Sequence, residues 1–370
     1  MRRMTASIAG VLCTVLVFSG ALTAQSNPHL VVYEGSKGPG AGKHIVMLSG
    51  DHEYRSEETL PALARILAQR YGFKCSVFFT VDPATGFITP GNSKISGLEA
   101  LKSADLMVVF LRFQDFPDDE MRHIADYLDR GGPVVGFRTA THAFQIKRPD
   151  AAYVKFDWQN KGDFAGGFGR QVLGETWVSH YGTNHKMSSR LILEPSQAGH
   201  PVLRGVKDVW VQSGGYTADP LPPTTILARG QILNGMTPDS PPNPDKQQVP
   251  VAWVRSYPPP PRSGYGAVSP EPALSSERAK ADGAKLPGTE KARVFTTTHG
   301  ASEDLLNEGF RRMTVNAVLW AVGLESSITA AGDVSLVGPY QPTTFNFNGY
   351  VKGVKPADMA GWDTPIPPKR

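Results

Sequence analysis

The chain has 370 residues, enough for a large core and a second lobe, and its 40% hydrophobic and 19% charged content excludes a natively disordered chain. The formal net charge is +4; Arg2 and Arg3 lie in a leader segment, and removing them leaves +2. So small and scattered an excess argues against a nucleic-acid partner.

Residues 1–24 read as a secretory signal: Arg2-Arg3 form a basic start, residues 8–22 an apolar core, and cleavage falls after Ala24. This predicts a periplasmic or secreted protein. An uncleaved anchor is the competing reading, but the apolar core is short for a span, and no later segment is long enough to cross a membrane. Of the 2 cysteines, Cys13 lies in the leader, so the mature chain can form no internal disulfide. Cys75 reads as a small buried apolar residue.

Residues 25–43 are polar and glycine-rich and read as an N-terminal arm. Residues 44–50 form an apolar run, the first expected strand. Ser56, Glu57, Glu58 and Pro61 mark a helix start with a hydroxyl cap, and Leu60, Leu63, Ile66 and Leu67 continue it at helical spacing to Gly72. Strands are expected at 74–80, 105–111 and 134–137, with a short helix at 98–103 and an amphipathic one at 116–129. This β-α-β alternation predicts an α/β fold, a parallel sheet with helices on both faces. Further strands are expected at 191–193, 208–212, 224–228, 249–255 and 293–297, and a last long helix at 305–322. Residues 256–292 form a proline-rich insertion containing Pro258-Pro259-Pro260-Pro261, and 325–370 an extension lying over the domain.

Two apolar runs end abruptly in polar clusters. Residues 45–50 run into Asp51-His52-Glu53-Tyr54-Arg55, and 133–137 into Arg138-Thr139-Ala140-Thr141-His142. Ligands of open α/β sheets bind beyond the carboxyl ends of the strands, so both clusters should open on one cleft. Together with Val178-Ser179-His180, the run 199–206, Pro250-Val251-Ala252-Trp253-Val254 and Arg293-Val294-Phe295-Thr296-Thr297-Thr298-His299-Gly300, these stretches resemble the ThuA-like family, named for trehalose utilisation, over residues 44–324. The resemblance implies a flavodoxin-like sheet related to class I glutamine amidotransferases and a small-molecule carbohydrate partner. Those relatives carry a cysteine nucleophile on the turn after a central strand. Here that turn has none, so the chain is not expected to be a glutamine amidotransferase.

The expected catalytic residues are His52, Arg138, His142 and His180. Asp51, Glu53, Thr139, Thr141, Tyr181, His185 and His299 are expected to bind substrate. An imidazole near a carboxylate can act as a base or ligate a metal, and an arginine can bind an oxygen or brace the cleft by pairing with Asp51 or Glu53. No cofactor is assigned. A divalent metal is admitted, with His52, His142, His180 and His185 as candidate ligands, although their spacing matches no standard motif. Trp158, Trp177, Tyr181, Tyr216 and Phe144 could stack on a sugar ring, but most aromatics belong to cores. The resulting expectation is an exported carbohydrate-active protein, isomerising or eliminating a disaccharide or 3-keto-glycoside by acid/base chemistry. The alternatives are a non-catalytic sugar-binding protein and a scaffold.

Overall fold

A computed structural model describes residues 27–257 and 292–369. Residues 1–26, most of the proline-rich insertion and Arg370 lie outside the described residues.

The apolar runs become strands because they are covered on both faces. β1 (Leu30–Glu34), β2 (His44–Gly50), β3 (Lys74–Phe79), β4 (Leu106–Leu111), β5 (Val134–Phe137), β6 (His180–Tyr181), β7 (Ser188–Leu193), β8 (Trp210–Val211), β9 (Gly215–Tyr216), β10 (Thr224–Leu233), β11 (Val249–Ser256) and β12 (Arg293–Thr297) are the described strands. Ten of them form one sheet in the order β1-β3-β2-β4-β5-β12-β11-β10-β7-β8, and β6 and β9 pair separately. From β3 to β12 the pairing is parallel. Numbered in chain order, these five strands run 2-1-3-4-5, the flavodoxin-like order, with its switch point between β2 and β4. β1 and the strands from β11 onward add antiparallel.

Helix α1 (Ser56–Tyr71) and α3 (Glu308–Ala321) bury Leu60, Leu63, Phe310 and Met313 in one core with Ile45, Val77 and Phe295. On the other face α2 (Asp118–Asp129) packs Met121, Ile124 and Leu128 against Val46, Met107 and Val134. The alternation along the strands thus feeds two cores, as expected for a parallel sheet buried on both sides. Cys75 is fully buried in β3, its thiol pushed up by burial, as an apolar core residue should be.

Two expectations change. The 25–43 segment is not merely an arm, since Leu30–Glu34 pairs antiparallel with β3 at the sheet edge. Ser56 does not cap α1; its hydroxyl is spent on the Asp51 N–H and the Ser49 hydroxyl, and Arg55, at φ 63°, takes the cap position. Glu57 and Glu58, the acids of the first turn of α1, are buried. They lie under the C-terminal extension, where Thr343 donates to Glu58 from both its N–H and its hydroxyl.

Candidate functional site

The parallel strands β2, β4, β5 and β12 stop in register, with Gly50 opposite Leu111 and Phe137 opposite Thr297. The segments that follow therefore share one edge of the sheet. After β2, Asp51 Oδ1 accepts the N–H groups of Glu53 (2.8 Å) and Tyr54 and folds the chain into a tight turn. After β4, the buried Gln114 amide donates to the Gly50 carbonyl (2.6 Å), while the Phe113 N–H donates to His142 O (3.0 Å). These bonds tie three strand ends together. After β5 the chain turns sharply at Arg138, whose φ of 42° is unusual for a side chain with a Cβ. A short helix, Arg138–His142, follows. It is pressed from outside by Gly169, where a Cβ would stand 1.9 Å from the Thr141 carbonyl oxygen, so only glycine allows the approach.

Aromatic rings wall the resulting cleft. The His142 ring lies 4.9 Å from Phe113, 5.4 Å from Trp177, 5.9 Å from Tyr216 and 6.4 Å from Trp158, between centroids. The β6–β9 pair sets His180 opposite Tyr216, and His180 also meets Trp177 at 5.6 Å. On the other side Arg112 donates to His52 Nε2 (2.7 Å), pairs with Glu53 (3.6 Å) and lies over the Phe113 ring (4.7 Å). The extension completes the rim: Phe345 packs on Tyr54, and Phe347 stands 5.9 Å from His52.

The tautomers are assigned from the pattern that makes every bond at once. The Thr141 hydroxyl stands 3.2 Å from both the Arg138 carbonyl and His142 Nδ1; both bonds form when the hydroxyl donates to the carbonyl and a protonated Nδ1 donates to the hydroxyl. Nε2 of His142 is then an unprotonated lone pair with no protein partner. Tyr54 accepts from Asn184 (2.9 Å) and donates to His180 Nε2 (3.0 Å), while His52 Nε2 accepts from Arg112. Burial lowers the basicity of all three histidines, most strongly for His142 and down to about 4 for His180, and the Arg112 cation opposes their protonation too. At neutral pH the cleft thus holds neutral imidazoles beside two guanidinium groups. Burial pushes the Glu53 carboxyl upward, with Arg138 opposing.

Arg138 is not the substrate-facing cation expected from its position. Its side chain is fully buried, Nη1 donates to the carbonyls of Gly214 (2.6 Å) and Thr298 (2.8 Å), and its guanidinium lies 3.7 Å from the Tyr54 ring centroid. It braces the cleft through carbonyls and rings, and not through an ion pair with Asp51 or Glu53. Tyr181 also departs from expectation: neighbours on a strand point oppositely, and its hydroxyl donates to Gln247 O (2.8 Å). His185 is exposed and stacks on Phe345 at 4.5 Å. His299 is buried, its Nδ1 on the Ser213 hydroxyl (3.1 Å). His52, Glu53, His142 and His180 do come together, with Thr139 and Thr141 buried beneath.

Among the described residues no three His, Cys, Asp or Glu side chains gather as a metal-binding group. His52, His142, His180 and His185 therefore do not form the ligand set considered above. Two of them already accept bonds through Nε2, and His185 is exposed and stacked on Phe345. The contributors not assigned a role from sequence are Tyr54, Arg112, Phe113 and Phe347. Arg112-Phe113 follows the apolar run 106–111 as abruptly as the two clusters that were singled out, and that signal could have found it.

A 2-1-3-4-5 parallel sheet with a cleft at its carboxyl edge defines a flavodoxin-like α/β protein. The chain belongs to the ThuA family, described as trehalose utilisation, which it matches over residues 44–321. The family gives it a carbohydrate-related role in general terms. No curated protein matches the chain. Among solved structures it is similar to a ThuA-like protein from Parabacteroides merdae, at 13% identity and TM-score 0.37 over 83% of this chain and 95% of that one. It is also similar to a cytoplasmic protein from Salmonella typhimurium, at 11% identity and TM-score 0.37 over 75% and 98%. Likeness at that level carries nothing about chemistry.

Proposed function

We propose that the cleft binds a disaccharide or 3-keto-glycoside and carries out isomerisation or elimination by acid/base chemistry, with His142 as the base. The observation that carries this reading is the free Nε2 of His142 inside an aromatic wall. Among His52, His142 and His180 it is the one Nε2 not already accepting a hydrogen bond. Rings suit the apolar faces of a pyranose, and the buried indole N–H groups of Trp158 and Trp177, which have no protein partner, suit its oxygens. A ketone beside a C–H bond makes that proton removable. His142 takes it, and the electron pair moves into the enolate. In isomerisation the neighbouring carbon carries a hydroxyl, whose proton passes to the former carbonyl oxygen while the former carbonyl carbon takes back the proton held by His142, so the ketone moves by one carbon. In elimination the enolate expels the substituent one bond further on, which leaves with a proton. Glu53, held above the usual carboxylate range, is suited to return that proton. Arg112 supplies the positive charge beside the cleft.

Because His142 stays neutral well below the usual histidine range, turnover should be flat from pH 8 down past 6.5 rather than halving there. His142→Gln should keep sugar binding and lower turnover by about 10²–10⁴-fold. Unchanged turnover would sink the role of His142. Binding without turnover in the native protein would favour the non-catalytic reading, which the missing cysteine at the Arg138 turn also permits. We further propose export with loss of residues 1–24, tested by mass spectrometry of the protein from its native envelope fraction; an intact Met1 there would refute it.

A further inference from the structure

Residues 322–370 lie beyond the stretch that matches the family, yet part of them reaches the cleft. The segment around Phe347 is fastened on both sides. Before it, Thr343 bonds Glu58, the Phe345 ring is buried against Tyr54 (5.1 Å) and His185 (4.5 Å), and Arg55 donates to the Asn346 carbonyl. After it, the Asn348 N–H donates to the His52 carbonyl (2.8 Å). Phe347 itself is held out, 56% exposed, and among the described residues it is the one aromatic side chain among the exposed large hydrophobics. A single exposed apolar residue means little by itself. Its neighbours give it meaning. The Arg112 guanidinium lies 4.9 Å from the Phe347 centroid and 4.7 Å from that of Phe113, so one cation joins the two rings. Phe113 in turn lies 4.9 Å from His142 and 5.4 Å from Trp158. A continuous π surface thus runs from the inner wall to the rim.

We propose that Phe347 is the platform of an outer subsite, stacking the second ring of a disaccharide whose first ring lies against Trp158 and Trp177. The inference rests on the carbohydrate reading above and adds to it that the C-terminal extension selects for chain length. Arg55 and Asn348 hold the platform rigid, so stacking on it requires no reordering of the segment.

The test is titration calorimetry of the full mature chain with trehalose, maltose and cellobiose, and with glucose, comparing native protein, Phe347→Ala and Phe347→Trp. The native protein should bind at least one disaccharide more tightly than glucose. Phe347→Ala should weaken that disaccharide about three- to tenfold while glucose affinity holds, and Phe347→Trp should retain it. Equal weakening of glucose and disaccharide, or no weakening of either, would overturn the outer subsite while leaving the inner one standing. If the native protein binds none of these sugars, the carbohydrate reading fails and the subsite falls with it. The side chain is exposed, so the variants should fold, and equal melting temperatures would confirm that affinity alone is being read.

Discussion

Two buried polar groups of the same protein behave in opposite ways. Asp304, at the start of the segment leading into α3, is completely satisfied: it accepts the N–H groups of Gly300 (2.9 Å), Ala301 (3.0 Å) and Ser213 (3.1 Å) and the Ser213 hydroxyl (2.5 Å). The His142 cleft, nearby on the same sheet edge, leaves the Tyr216 hydroxyl and the two indole N–H groups without protein partners, and the one side-chain hydrogen bond of His142 among the described residues runs through Nδ1. Buried polar atoms are nearly always paired in native proteins, so a group of unpaired ones is informative. The Asp304 network uses its hydrogen-bonding capacity to hold loops, and the cleft keeps its capacity for something else. Stability and function should therefore separate cleanly between the two.

The largest stability effect is expected at Asp304. Asp304→Ala would strand the Ser213 hydroxyl and three N–H groups in a buried place and should cost about 3 kcal/mol or more, read by denaturant unfolding. A loss below about 1 kcal/mol would show that the network is not structural.

Next comes the buried pair beneath the extension. Burial raises Glu57 to about 7 and Glu58 to about 8, each further lifted by a nearby acid and held down in part by Arg55. The folded state therefore keeps protons that the unfolded state releases above its ordinary value of 4.5. As pH rises from there through about 8, the unfolded state is favoured, so stability falls and stays low above it. The melting temperature should drop by several degrees between pH 5 and 9, and Glu58→Gln should flatten the profile. A flat native profile, or the same slope in the variant, would contradict this.

Smaller again is the effect of a cleft substitution. His142→Gln removes one weak bond to Thr141 and should change stability by about 1 kcal/mol or less, against the Asp304 loss. The smallest effect should come from replacing residues 258–291 with a short glycine-serine turn, with Tyr257 kept because it is buried and its hydroxyl donates to the Gly132 carbonyl (2.7 Å). β11 and β12 are antiparallel neighbours with Ser256 opposite Arg293, so a tight turn can join them. Stability should stay within about 1 kcal/mol. Loss of soluble protein would refute it.

The parallel strands and the three long helices were legible because each buries a continuous run or a helical stripe, which the chain must write in apolar residues. β1 was not, since an edge strand such as Leu30–Glu34 buries alternate residues only and sits in a glycine-rich arm. β6 and β9 are two residues each, too short to show a period. The cleft was legible in outline, through polar clusters at strand ends. Roles were less so. Nothing in the sequence says that Arg138 turns at positive φ and lays its guanidinium under Tyr54, or that Arg112 engages His52. Phe347 lies 295 positions from His52, and only the folded extension brings the two together.

The central claim is that the unpaired groups around His142 meet a sugar, and the most direct measurement is a crystal structure of the protein soaked in trehalose. The account predicts a pyranose ring against Trp158 and Trp177, with a sugar carbon within reach of His142 Nε2 and sugar oxygens on the two indole N–H groups. A sugar bound elsewhere, with those groups unengaged at saturating concentration, would contradict it.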